Sequence, residues 1–207
     1  MPLPISSTVG PQLAGDGAQI APRLGHTGEA IVQELHGRYY ESMARGLMYS
    51  ASNQAATAVS AALSTTYTGL CLYNPVGSGK VLVPTKVKLA LTVAPAAVAS
   101  IGLIAGYAAT GGVTAQTTKL TVQSNQIGYT STGVGIALSA ATIVTPTWLK
   151  QLEDGFTAAA LPAPTLPIDL EGTFGILPGG FIAVGALTTV TGLSSIVWEE
   201  LPYNPQG

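Results

Sequence analysis

The sequence predicts a mainly β protein: an antiparallel, jelly-roll-like β-sandwich preceded by an extended N-terminal arm and one helix. Three observations lead there. Runs with period-two alternation recur roughly every 8–15 residues, the rhythm of a sandwich or barrel. The 25 glycines and 14 prolines fall largely between those runs, as turns do. Only one stretch, residues 29–45, carries a helical period, so the crossover helices of an α/β fold are missing from the pattern. The expected organisation is an anchoring arm and helix over residues 1–49 and a β-sandwich over 50–207.

Residues 1–28 hold Pro2, Pro4, Pro11 and Pro22 and five glycines, with no hydrophobic period. Proline fixes φ and removes amide donors, so this segment reads as an extended arm. From Glu29 the pattern changes: Ala30, Ile31, Leu35, Tyr39, Met43 and Leu47 make a one-sided helical stripe. Thr27 is a candidate N-cap, Glu29 and Glu34 suit the positive end of the helix, Arg45 suits the negative end, and Gly46 is a natural stop.

Residues 51–66, rich in Ala, Ser and Thr, permit either helix or strand. Strands are then expected over 68–73, 80–93, 100–107, 120–126, 135–141, 169–176, 181–186 and 194–200. The clearest alternation sets Val87, Leu89, Leu91 and Val93 against Lys86, Lys88, Ala90 and Thr92. Turns are expected at Val76–Gly79, at Ala94–Ala97 around Pro95, at Thr110-Gly111-Gly112 and at Pro178-Gly179-Gly180. Residues 148–156 read as a short helix or polar loop, and 161–167, with three prolines, as a crossing segment.

Composition narrows the function classes. Charged residues make up 9% of the 207, against about 25% in ordinary soluble domains. Exposed faces must therefore be rich in uncharged polar side chains, or covered by partners. No acid occurs between Glu41 and Glu153, a window whose bases include Arg45, Lys80, Lys86, Lys88 and Lys119. A net charge of -2 gives no general footprint for nucleic acid. No apolar run reaches the ~18 residues of a membrane span, because Pro95 and Ser100 break the best candidate. The N-terminal residues lack the basic and apolar regions of a secretory signal. One cysteine, Cys71, rules out an intrachain disulfide.

The motifs with chemical potential read more simply as structure. Gly77-Ser78-Gly79-Lys80 resembles the end of a phosphate loop, but Asn74 and Val81 stand where that loop needs Gly and Ser or Thr. A strand follows rather than a helix, so a hairpin turn is expected. His26 and His36 are the only histidines and have no cysteine or histidine cluster around them, so no metal site or cofactor is expected. Cys71, between Leu70 and Leu72, reads as a small buried hydrophobe. Glu199 and Glu200 should point to opposite faces of one strand. No enzymatic activity is expected.

Three stretches together resemble capsid accessory proteins of tailed bacteriophages, the cement or decoration proteins. They are Gly15-Asp16-Gly17-Ala18-Gln19 through His36-Gly37-Arg38-Tyr39-Tyr40-Glu41; Leu70-Cys71-Leu72-Tyr73-Asn74-Pro75 through Val83; and Ile176-Leu177-Pro178-Gly179-Gly180-Phe181 with Val197-Trp198-Glu199-Glu200-Leu201-Pro202. The resemblance implies binding to the major capsid protein on the virion surface after synthesis in the host bacterial cytoplasm. It implies a homo-oligomer, often a trimer, with no nucleic acid, membrane or catalytic residues involved. The alternative is a head-fibre or tail-associated β module. The stripe of Ile31, Leu35, Tyr39, Met43 and Leu47, with Arg38 and Arg45 beside it, is the expected capsid or subunit interface. The simpler alternative packs that stripe on the chain's own β domain. Glu199 or Glu200 meeting Lys86 or Lys88 across subunits is a further expectation.

Overall fold

The structure, a computed structural model, describes residues 37–97, 99–156 and 166–203. The arm, the first part of the expected helix, both histidines and most of the proline-rich crossing lie outside them. The chain divides into a unit of Met1–Tyr40 and a unit of Glu41–Gly207. No helix among the described residues is long and apolar enough to cross a membrane.

The described helix is short. α1 spans Tyr40–Ala44, and Arg38 and Tyr39 form a turn closed by the Tyr40 amide donating to the Gly37 carbonyl at 2.9 Å. The expectation of unbroken helix through residue 45 is thereby corrected at Gly37, whose backbone entropy disfavours a helix interior. The stop is the expected one. Gly46 has φ +71°; its amide donates to the Met43 carbonyl and the Leu47 amide to that of Ser42, each at 2.9 Å. These are the two bonds of a Schellman cap.

Twelve strands follow among the described residues: β1 Met48–Ser52, β2 Thr57–Val59, β3 Thr66–Tyr73, β4 Lys80–Leu91, β5 Ala99–Tyr107, β6 Val113–Lys119, β7 Val122–Ser124, β8 Ile136–Ile143, β9 Thr147–Phe156, β10 Leu166–Asp169, β11 Gly180–Ala186 and β12 Val190–Pro202. They form two antiparallel six-stranded sheets. One runs β10-β4-β12-β1-β7 with β2 also on β12, the other β6-β8-β3-β11-β5-β9. The mainly β, antiparallel, two-sheet architecture is the one the alternation predicts. In β4 Val87 and Leu89 are buried and Lys86 and Lys88 exposed, as expected, but Leu91 is half-buried and Val93, beyond the end of the strand, is 56% exposed.

Several local expectations are overturned. Residues 148–156 belong to β9, because pairing with β5 supplies order that their mixed polarity hides. Of residues 169–176 only Asp169 is in a strand. Glu171 and Gly172 take φ of +47° and +76°, and the Thr173 amide closes a turn onto the Leu170 carbonyl. Of the strand expected over 120–126 only Val122–Ser124 forms one, as β7, and β6 lies wholly before it at Val113–Lys119. The turn after β3 is not a hairpin, since β3 and β4 lie in different sheets. Gly77 and Gly79, both at positive φ, bend the chain there from one sheet to the other.

The main core lies between the sheets. Tyr49, Val87, Leu89, Ile196 and Trp198 from one meet Leu70, Leu72, Ile101, Leu103, Ile182 and Val184 from the other. Tyr49 and Trp198 stack with ring centroids 6.2 Å apart. A second core holds the alternate residues of the second sheet: Cys71, Tyr73, Ile104, Leu138, Phe181 and Ala183. In a flat sheet these would face solvent. Connection length explains why they do not. β8 and β9 are joined by residues 144–146 alone but stand four strand steps apart in the sheet. Four steps at ~4.8 Å need about 19 Å, and the four Cα–Cα intervals from Ile143 to Thr147 reach about 14 Å at most. The sheet must therefore roll. The Val144 amide bonds the Gly112 carbonyl at 2.9 Å, and a Cβ on Gly106 of β5 would lie 2.8 Å from the Val144 carbonyl oxygen. The second core is the inside of this roll.

Candidate interaction surface

The expected interface residues fall in both units or outside the described residues. Ile31 and Leu35 lie outside the described residues. Arg38 is exposed and Tyr39 half-buried in the first unit; Met43 and Leu47 are half-buried in the second. Arg38 and Tyr39 lie in a turn rather than in the expected helix. Arg45 is exposed and pairs with Glu41 one helical turn earlier, Nε to Oε1, at 2.9 Å. An exposed i,i+4 pair of this kind contributes about 0.3–0.5 kcal/mol.

The acidic end of the chain behaves differently from expectation. Glu199 and Glu200 do point to opposite faces, but Glu200 is buried and occupied within its own chain. Its carboxylate accepts the Val134 and Gly135 amides, each at 2.9 Å, and the Trp198 indole Nε1–H at 3.1 Å. The two amides tie the segment before β8 to β12, and all three donors occupy the Glu200 carboxylate within its own chain. Lys86 likewise has a partner in its own chain. Its Nζ is 3.7 Å from Asp169 of β10, the residue opposite it in register.

Cys71 is fully buried, and burial pushes its thiol well above the ordinary range. Burial does the same to the Tyr67 phenol, whose hydroxyl lies 2.7 Å from the Val184 carbonyl and 2.9 Å from that of Leu70. Both groups are held neutral and packed. No group of three His, Cys, Asp or Glu side chains able to hold a metal occurs among the described residues.

The surface feature that residue patterns did not predict is an apolar groove of about 450 Å³ where β5 ends and β9 and β11 begin. Its walls include Tyr107, Leu149, Phe174, Leu177 and Phe181, and among the described residues no charged side chain lines it. Local turn chemistry builds it. Leu177-Pro178-Gly179-Gly180 is a type II turn: the Gly180 amide donates to the Leu177 carbonyl at 2.9 Å, and Gly179, with φ +90°, takes the position that demands glycine. A Cβ on Gly179 would also meet the Ala108 carbonyl at 2.9 Å. Asn74 fixes the opposite wall. Its buried side-chain amide donates to the Lys80 and Ile176 carbonyls at 2.8 and 2.7 Å, tying the end of β3 to the segment before β11.

This turn leaves large apolar groups in water. Tyr107 is 63% exposed, Leu177 44% and Leu149 41% around the groove. Val76, 54% exposed, adjoins them, since it and Tyr107 both lie within 3.5 Å of the position a Gly179 Cβ would take. Contiguous exposed apolar residues are a common feature of interaction sites. The sequence held one signal for this surface, the Leu-Pro-Gly-Gly turn, but gave no sign that Tyr107 and Leu149 converge beside it.

The chain matches no family model, no curated protein and no solved structure.

Proposed function

We propose that this protein is a structural virion component, a cement or decoration protein that binds the major capsid protein and stabilises the shell of a tailed bacteriophage. The reading comes from the three stretches that resemble such proteins, including the jelly-roll-like cast of the chain's ending. The observation that supports it best is the apolar, uncharged groove rimmed by Tyr107, Leu149 and Leu177 on a chain with few charges anywhere. A β unit of this kind acts by burying surface. Few charged groups need desolvation at such a contact, and the exposed apolar rim supplies the hydrophobic term. In this proposal the protein is a homo-oligomer, a trimer by resemblance, and the segment 1–49 adds contact area beyond the β unit.

The test is co-sedimentation of the purified protein with shells of the major capsid protein from its own phage. Wild type is expected in the pellet, and Tyr107→Asp/Leu177→Asp is expected to lose binding at least tenfold with unchanged circular dichroism. Wild-type protein that stays in the supernatant over saturating shells would sink the proposal.

A further inference from the structure

The two sheets end in strands with unequal protection. Unpaired amides and carbonyls at a sheet edge attract another strand unless the edge is short, charged, proline-bearing or bulged. β7 has three residues, and β10 has four including Pro167. β9 carries Lys150, Glu153 and Asp154. β6, the edge of the rolled sheet, is seven residues long, Val113-Thr114-Ala115-Gln116-Thr117-Thr118-Lys119. It has no proline, no acid and no charge before its last position, and every residue from Thr114 onward is exposed. Among the described residues its one protection is its register on β8, which shifts three times along the strand and leaves Thr114, Gln116 and Thr117 without a register partner there.

We infer that β6 pairs antiparallel with β6 of a second copy of this chain, about a two-fold axis through Gln116. The sequence is self-complementary in that register. Thr114 meets Thr118 twice, Ala115 meets Thr117 twice, and Gln116 meets Gln116. Directly opposed Thr side chains are favourable cross-strand pairs. The lysines are kept apart: each Lys119 faces a Val113, and the two ammonium groups stand at opposite ends, about 20 Å apart at ~3.4 Å per residue. That exceeds the ~8 Å screening length at physiological salt. A parallel register would instead stack Lys119 on Lys119. Thr and Gln side chains keep such an edge hydrated in the free chain, and the β propensity of Thr suits it to the paired one. A two-fold contact of this type joins pairs of chains whatever their other contacts, so it extends beyond the capsid reading and does not depend on it.

Cysteine cross-linking of the isolated full chain tests the register. Directly opposed positions bring Cβ atoms to about 4.5–5.5 Å, close enough for a disulfide after small adjustment. Gln116→Cys should give a covalent dimer under mild oxidation at least tenfold faster than Gln123→Cys on β7. Cys71, wholly buried, does not compete. Thr114→Cys and Thr118→Cys should cross-link when mixed, and each alone should not. Adding Thr117→Pro to Gln116→Cys should slow cross-linking at least tenfold. Two results overturn the inference: Gln116→Cys linking no faster than the β7 control, or Gln116→Cys linking only to a copy carrying Gln151→Cys, which would mean head-to-tail pairing of β6 with β9. Either result leaves the shell-binding assay untouched, so the two proposals fail separately.

Discussion

The two sheets are built from the same pool of residues yet end in different states. The β10-β4-β12-β1-β7 sheet buries one face and shows the other to solvent, with Lys86, Lys88, Ser50 and Ser195 on the outer side. The β6-β8-β3-β11-β5-β9 sheet buries both faces of its central strands; all seven residues of β11 are buried. Connection length produces the difference. A three-residue link between strands four positions apart can be made only if the sheet curls, and curling creates an interior for residues that would otherwise be solvated.

Glycine makes the roll tolerable. Inside it, Trp148 covers the places where Gly102 and Gly185 lack a side chain. A Cβ on either would lie 2.9 Å from the indole ring. This is the aromatic-over-glycine device of strongly curved sheets. The open sheet carries no comparable set.

The largest effect should separate a packed roll from a plain sandwich. Phe181→Ala, in the roll, is expected to cost about 3–5 kcal/mol of unfolding free energy, comparable to truncating Leu72 in the inter-sheet core. Urea denaturation reads this directly, and a loss below about 1 kcal/mol would mean that the roll has no packed interior. Gly102→Ala should come next, at about 1–3 kcal/mol, because the added methyl meets the Lys150 carbonyl oxygen at 2.8 Å as well as Trp148. Combined with Trp148→Ala, its cost should be less than additive, and strict additivity would show that the ring does not sense the methyl.

A pH titration probes the same interior through Cys71. Burial raises the folded thiol pKa, so the folded state keeps its proton where the unfolded thiol, with a pKa of about 8.5, loses it. Stability is therefore full below about pH 8.5 and should fall above it, approaching about 1.4 kcal/mol per pH unit. Cys71→Ala should remove that slope between pH 9 and 10, and an unchanged slope would assign it elsewhere. The smallest effect belongs to the open sheet. Lys86→Ala, which breaks only the half-exposed pair with Asp169, should change stability by less than about 1 kcal/mol. A larger loss in a thermal melt would show that this outer face is covered.

The sequence by itself determined the class of the fold and the faces of its regular strands. Alternation in β4 placed Lys86 and Lys88 outside and Val87 and Leu89 inside, and the Leu-Pro-Gly-Gly turn before β11 was legible because only glycine is at ease at the φ it needs. Gly46 marked the helix end for the same reason. Period-two reading missed β6, which is exposed on both faces and does not alternate, and although a strand was expected over 181–186, alternation gave no facing for β11, all of whose residues are buried. It failed at β9, whose order comes from β5 rather than from its own residues. Tertiary structure alone decided that Phe181 and Cys71 fill a second core, that Glu200 is bound inside its own chain, and that Tyr107, Leu149 and Leu177 converge on one groove. Each of these depends on contacts between residues distant in the chain. Those contacts are set by how short connections force the sheet to curl, and a local pattern carries no record of that constraint.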